Sequence, residues 1–357
     1  MKLRILNFVS LGLLSLSALA GNPDRGGQAS GTQLVINGWG RTSGIGWASQ
    51  SYVKSVEAMY MNVGGLVATP KTDIVFCRTN WLQGAGININ NLGFSQHLGN
   101  DNAIGIAITS IDMGEIPITT VEQPNGGLGS FSPRFTNIGL GYSKKFTERI
   151  NGGVLLRVFS ESASNTKLQG VAFDAGIQYK TTWKNPDDTH FGVSIKNIGP
   201  DVKYSGDGIS SKVLNPKNNQ EVTMNQRVAK FNIPALINIG GAYDIRLDQT
   251  EKAFFHKLTT SANFTYNAFS QNQFTFGFEY NYKGMLMLRT GYAYENGTFD
   301  YTTRRTANTG LAFGATVELP FGTKENRIAL DYSYRDSNPF SGTHSIGIKM
   351  SLGSSED

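Results

Sequence analysis

From residue 72 to residue 352, apolar residues alternate with small or polar ones in stretch after stretch, each roughly ten residues long. A period of two places successive side chains on opposite faces of a strand. Residues 274–282 set Phe274, Phe276, Phe278, Tyr280 and Tyr282 against Thr275, Gly277, Glu279 and Asn281. Residues 344–352 set His344, Ile346, Ile348, Met350 and Leu352 against Ser345, Gly347, Lys349 and Ser351. The pattern predicts fourteen strands, over 72–80, 87–98, 103–113, 134–146, 150–161, 168–181, 189–198, 233–246, 256–267, 273–283, 285–295, 308–319, 326–335 and 343–352. A soluble sandwich would turn the apolar face inward. A membrane barrel turns it out to lipid and encloses the polar face.

The connections separate these two architectures. If the first strand starts at the periplasm, every second connection is compact: His97–Asn102, Phe146–Arg149, Thr182–Asp188, Leu247–Phe255, Lys283–Gly284 and Pro320–Glu325. The other set contains the two longest loops, Gly114–Pro133 and Gly199–Asn232, with Asn296–Ala307 and Asp336–Gly342. Outer-membrane barrels sort their loops this way and sandwiches have no reason to. The expected fold is therefore all-β, a fourteen-stranded antiparallel transmembrane β-barrel over residues 71–352. Its strand charges belong inside. Asp174, Gln178 and Lys180 oppose Val171, Phe173, Ile177 and Tyr179, and Asp331 and Arg335 oppose Ile328, Leu330, Tyr332 and Tyr334. A Lys or Arg facing mid-bilayer would cost about 2–4 kcal/mol.

The ends fit export. Lys2 and Arg4 precede an apolar run from Ile5 to Leu16, and Ala18-Leu19-Ala20 precedes Gly21. This is the layout of a secretory signal peptide over residues 1–20, with residues 353–357 left as a periplasmic tail. No Cys near the cleavage site would take a lipid. Cys77, inside the first strand, is the chain's one cysteine, so no disulfide framework exists, and a small apolar filler is its expected role. Net charge is +5, and loss of the two cations Lys2 and Arg4 leaves +3, with no basic run to suggest a nucleic-acid partner.

Residues 21–70 differ in texture. Gly38-Trp39-Gly40-Arg41-Thr42-Ser43-Gly44-Ile45-Gly46 is followed by Val56 to Leu66, whose apolar spacing is helical. A phosphate loop would need a buried parallel strand before it and Lys-Ser/Thr after it, and neither is present. A plug inside the lumen is expected, because a barrel of this size is too wide for wall side chains to fill. His97, His190, His256 and His344 are scattered singly, the first three at periplasmic strand ends and the last near the outer interface. They lack metal-site spacing, and no Gly-x-Ser-x-Gly elbow or carboxylate pair accompanies them. No enzyme, cofactor or metal is expected.

The plug resembles the N-terminal hatch of barrels of the fatty-acid-transporter (FadL) type. The hatch's Gly-rich run is matched by Ser43-Gly44-Ile45-Gly46, and its Asn-Pro-Ala-Gly-Leu box by Asn62-Val63-Gly64-Gly65-Leu66, where Val-Gly replaces Pro-Ala. The resemblance makes Gly44, Gly46, Asn62, Gly64, Gly65 and Leu66 the plug residues. Further on, the chain is similar to the PorV/PorQ family of the type IX secretion system of Bacteroidetes, through residues 170–180, 194–204, 331–334 and 343–347. It departs from outer-membrane barrels in ending on Leu352 and Gly353-Ser354-Ser355-Glu356-Asp357 rather than on an aromatic. That resemblance implies a non-enzymatic barrel in outer-membrane lipid. Its partners would be translocon or attachment-complex proteins, or the C-terminal domains of secreted cargo. The residues expected to meet a partner are Gln123 and Asn125 in one long loop and Tyr204, Lys212 and Lys217 in the other. The alternative is a FadL-like transporter of hydrophobic small molecules. It predicts an apolar pocket between Met59, Met61 and Leu66 and the upper barrel wall.

Overall fold

A computed structural model describes residues 22–353, apart from 186–187, 219, 249–254, 301 and 303. The expected signal peptide and the last four tail residues lie outside the described residues, as does part of two short turns. Fourteen strands form the wall: β1 (Thr72–Trp81), β2 (Ile87–Leu98), β3 (Asn102–Asp112), β4 (Arg134–Thr147), β5 (Ile150–Ala163), β6 (Thr166–Thr181) and β7 (Thr189–Ile198), then β8 (Leu236–Arg246), β9 (His256–Asn267), β10 (Gln273–Tyr282), β11 (Leu286–Glu295), β12 (Asn308–Phe321), β13 (Thr323–Ser337) and β14 (Thr343–Leu352). Each pairs antiparallel with the next, and β1 pairs with β14 from Thr72↔Leu352 to Asn80↔His344. The sheet is closed. A closed ladder satisfies the backbone internally, which is the condition for crossing lipid.

The outward face is apolar. Phe76, Leu92, Ile106, Leu140, Val158, Phe173, Ile195, Ile239, Phe278, Leu288, Phe313, Leu330 and Ile348 are all exposed, and they come from all but one of the strands. Aromatic clusters flank this band. Tyr292, Tyr294 and Phe299, with Tyr332, Tyr334 and His344, mark the long-loop rim, while Tyr179, Phe191, His256, Tyr280 and Tyr282 mark the short-turn rim. Such girdles bracket the hydrocarbon layer. The expected loop sorting is present, with the longest connections, 113–133 and 199–235, on one rim. Strand β8 begins at Leu236, three residues later than the pattern predicts. Pro234 has no N–H to give a ladder, and Phe231 pairs instead with Val202.

The chain enters the lumen from the long-loop rim. An N-terminal strap, residues 22–32, is bonded there: Ser30 N–H donates to the Asn232 carbonyl at 3.0 Å, and the Arg25 guanidinium lies 4.0 Å from the Phe269 ring centroid. Leu34 then packs with Ile89, Ile111, Phe135, Phe159 and Leu168 to fill the upper lumen on the β2–β6 side. Residues 37–68 cross the barrel at mid-height, and Thr69 to Lys71 leave at the short-turn rim. The helix predicted over 56–66 is broken. Short helices Ser55–Glu57, Ala58–Met61 and Val63–Ala68 meet at Asn62, which is extended at φ −149°, ψ 102°. Tertiary hydrogen bonds outweigh local propensity at that residue.

Candidate functional site: a plugged lumen with two chambers

The plug is held by specific polar contacts. The Asn62 amide donates to the carbonyls of Ile177 at 3.0 Å and Gln50 at 3.2 Å, and its oxygen accepts the Gly64 N–H at 3.1 Å. Arg157 donates to the Met59 carbonyl at 3.2 Å and Gln178 to the Val53 carbonyl at 2.9 Å. Arg41 reaches Asp331 at 3.2 Å and Glu318 at 3.4 Å, and Ser55 bonds Asp73. Glu57 accepts the Thr42 N–H at 2.9 Å, and burial raises its carboxyl above the usual range.

The wall is shaped to receive the plug. One inward position on every strand is Gly, Ser or Cys: Cys77, Gly93, Gly105, Gly141, Gly153, Gly176, Gly192, Gly240, Ser261, Gly277, Gly291, Gly314, Ser333 and Gly347. Between strands this belt either stays in register, as at Gly105↔Gly141, Gly153↔Gly176 and Gly277↔Gly291, or steps by two residues, as from Gly93 to Gly105. Tilted strands require such steps for a ring at one height. The plug backbone touches this ring. A Cβ on Gly291 would stand 2.2 Å from the Ile45 carbonyl oxygen, one on Gly192 2.7 Å from that of Gln50, and one on Gly153 2.7 Å from that of Val63. Cys77 completes the belt, and the small filler role expected of it describes its position.

Belt and plug divide the remaining space. An upper chamber of about 460 Å3 opens toward the long-loop rim and is lined by Trp47, Gln50, Tyr60, Met61, Trp81, Lys196, Phe269 and Arg335, with the strap at Gly26, Gly27 and Ala29. A lower chamber of about 500 Å3 faces the short-turn rim and is lined by Arg41, Tyr52, Glu57, Lys257, Glu279, Arg289, Arg327 and Lys349. The septum is one chain thick. Trp47 and Gln50 point to the upper side, while Ile45, Ser49, Tyr52 and Val53 point to the lower. Above the belt the wall has a seam. Strand β6 pairs with β7 only at Phe173 and from Ala175 to Thr181, and β8 starts opposite Lys196. The gap is closed by Tyr204↔Leu168 and by the bridge Val202↔Phe231. Tyr204, Val202, Phe231 and Ile233 form an apolar cluster there, and Pro234, Leu236 and Lys196 place the upper chamber against it.

The residues singled out from sequence fall into two groups. Gly44, Gly46, Asn62, Gly64, Gly65 and Leu66 all lie in the plug layer. A Cβ on Gly44 would lie 2.7 Å from Gly314 Cα, one on Gly65 2.0 Å from the Val53 carbonyl oxygen, and Gly46 has φ +64°. Of the pocket expected at Met59, Met61 and Leu66, only Met61 faces the upper chamber. Met59 and Leu66 are packed with Val63, Val67, Ala103 and Leu155 against Gly105 and Gly141. Gln123, Asn125 and Lys217 are exposed loop residues, and Lys212 pairs with Glu221 at 3.5 Å. Tyr204 is instead part of the seam, its hydroxyl donating to Glu161 at 2.9 Å. The four histidines are far apart along the wall. The alternation placed Arg335 in the lumen but pointed neither to the belt nor to the upper chamber that Arg335 and Lys196 line. The recurring inward glycine was the available signal for the belt.

No family model matches the chain, and no curated protein sequence does. Solved structures do. The CymD monoaromatic hydrocarbon channel aligns with a TM-score of 0.52 at 12% identity, covering 89% of this chain and 100% of that one. A TodX monoaromatic hydrocarbon channel mutant aligns at 0.51 and 14% identity, over 88% and 98%. The toluene transporter TodX of Pseudomonas putida aligns at 0.50 and 14% identity, over 88% and 97%. The likeness is one of fold. It extends over 88–89% of this chain and 97–100% of the others.

Proposed function

We propose that this chain, exported by its signal peptide, is an outer-membrane channel for hydrophobic small molecules. Solutes enter the upper chamber from outside and leave sideways through the β6–β7–β8 seam into the bilayer. One observation carries this reading. The small-residue belt seals wall to plug around the full circumference, yet a chamber of about 460 Å3 above it abuts the stretch of wall that has no continuous ladder. Similarity in fold to hydrocarbon channels supports the same reading. Cross-linking the seam tests it. Cysteines at the paired positions Leu168 and Tyr204 would staple the wall shut. In liposomes, oxidation of this variant should stop uptake of a neutral aromatic hydrocarbon and reduction should restore it. Equal uptake in both states would rule out the seam route.

A second reading is a docking role in type IX secretion, in the manner of the PorV/PorQ family. The outer hairpin formed by Ser210–Leu214 and Glu221–Asn225 supports it, because Val213, Val222 and Met224 share one exposed face and Lys212 charges the opposite one. Removing residues 207–226 should leave uptake intact. If natively extracted protein then loses a co-purifying partner, the docking role gains; an unchanged set of partners counts against it.

A further inference from the structure

Two buried cations, neither of them ion-paired, face the upper chamber. Lys196 on β7 is 4% exposed and Arg335 on β13 is 6% exposed. Each rests on an aromatic ring of the plug: Lys196 Nζ is 3.8 Å from the Tyr60 centroid, and the Arg335 guanidinium is 3.8 Å from that of Trp47. Neither is within ion-pair distance of a carboxylate among the described residues. Three other lumen cations are ion-paired: Arg157 with Asp174 at 2.7 Å, Arg289 with Glu279 at 2.5 Å, and Lys349 with Asp73 at 2.8 Å. Glu295, which also faces the chamber, takes the Gln273 amide at 2.8 Å, and Arg305 has a partner of its own.

A ring face returns to a cation only part of what leaving water costs it. Lys196 and Arg335 are therefore left with unspent attraction for an anion. Flat rings share the chamber with them: Trp47, Tyr60, Trp81 and Phe269. A rigid flat ligand fits such walls and avoids the rotor entropy that a long alkyl chain loses on confinement.

We propose that the upper chamber selects an aromatic carboxylate, its anion taken by Lys196 or by Arg335 and its ring stacked on the chamber's aromatic walls. This deepens the channel reading and rests on it. The test uses the full-length protein in detergent, with 2-naphthoate, the neutral 2-naphthalenemethanol and decanoate as probes, read by quenching of tryptophan fluorescence and by calorimetry. Naphthoate should bind at least about tenfold more tightly than either other probe, a difference of about 1.4 kcal/mol. Either Lys196→Met or Arg335→Met should erase that preference, whereas the charge-conserving Lys196→Arg and Arg335→Lys should retain it; these variants separate lost charge from lost folding. Equal binding of naphthoate and the alcohol, or preference surviving both Met variants, overturns the proposal. Preference for decanoate overturns its aromatic part. Uptake of the neutral hydrocarbon through the seam is scored separately, so anion selectivity can fail while the channel stands.

Discussion

Gly291→Ala is a one-methyl test of the septum. The new Cβ would lie 2.2 Å from the Ile45 carbonyl oxygen, 2.3 Å from its carbon and 2.8 Å from the Gly46 nitrogen. All three are backbone atoms, so no side-chain rotation relieves the clash. The wall at this level is held on both sides, by Gly277↔Gly291 and Gly291↔Ala312. The septum is held by single contacts, so it is the part that moves. Overpacking of this kind costs about 1–3 kcal/mol, and contact with rigid backbone puts this site near the top of the range. About 2–3 kcal/mol multiplies the population of an unseated septum by about 30- to 150-fold. The barrel should still insert and keep its heat-modifiable migration, while planar-bilayer recordings should show openings that join the two chambers. Gly139→Ala is the matched control, because the one tight contact of its Cβ is the flexible end of Leu155 at 3.1 Å. If Gly291→Ala conducts no more than Gly139→Ala, the belt does not set the plug's seat and the argument for a sealed lumen fails.

Further outcomes are expected from the plug's polar anchors. Arg41→Met leaves Asp331, which is 2% exposed, without its cation. Losing one partner of a buried pair costs about 3–5 kcal/mol, so the melting midpoint should fall and the additional change Asp331→Asn should recover much of it. Asn62→Ala strips the hydrogen bonds that break the plug helix and should expose the 58–68 segment to proteolysis in a barrel that remains protected. Burial raises the Glu57 carboxyl above its ordinary value, so its contribution to plug stability is full below about pH 4.3 and is lost as pH rises through the folded value. The stability difference between native protein and Glu57→Gln should therefore grow between acid and neutral pH, and a pH-independent difference would remove Glu57 as the cause.

How much of this was legible in the letters depends on the range of the interaction. The strands were, because alternation is a local signal and lipid imposes it on every one of them. The β8 start was misplaced because a bridge from Phe231 to Val202, far away in sequence, ends the irregular segment. The plug was visible as a change in texture, but the break at Asn62 was not, since the carbonyls that capture its amide belong to β6 and to Gln50. Inward glycines such as Gly277 and Gly291 were plain in the alternation, yet their reason is a partner more than two hundred residues away at Ile45. Arg335 was read correctly as lumenal alongside Asp331. That Asp331 pairs with Arg41 while Arg335 lies over the Trp47 ring is a property of the packed lumen.

The strap carries a consequence for biogenesis. Residues 22–32 rest at the outside rim, whereas the first wall strand begins at the opposite one, so the leading stretch must traverse the bore before the seam between β1 and β14 zips. Insertion machinery therefore has to shut the cylinder around a thread already in place. On the proposed outer-membrane channel reading, an epitope placed ahead of Asn22 should accordingly be displayed to antibodies on intact cells.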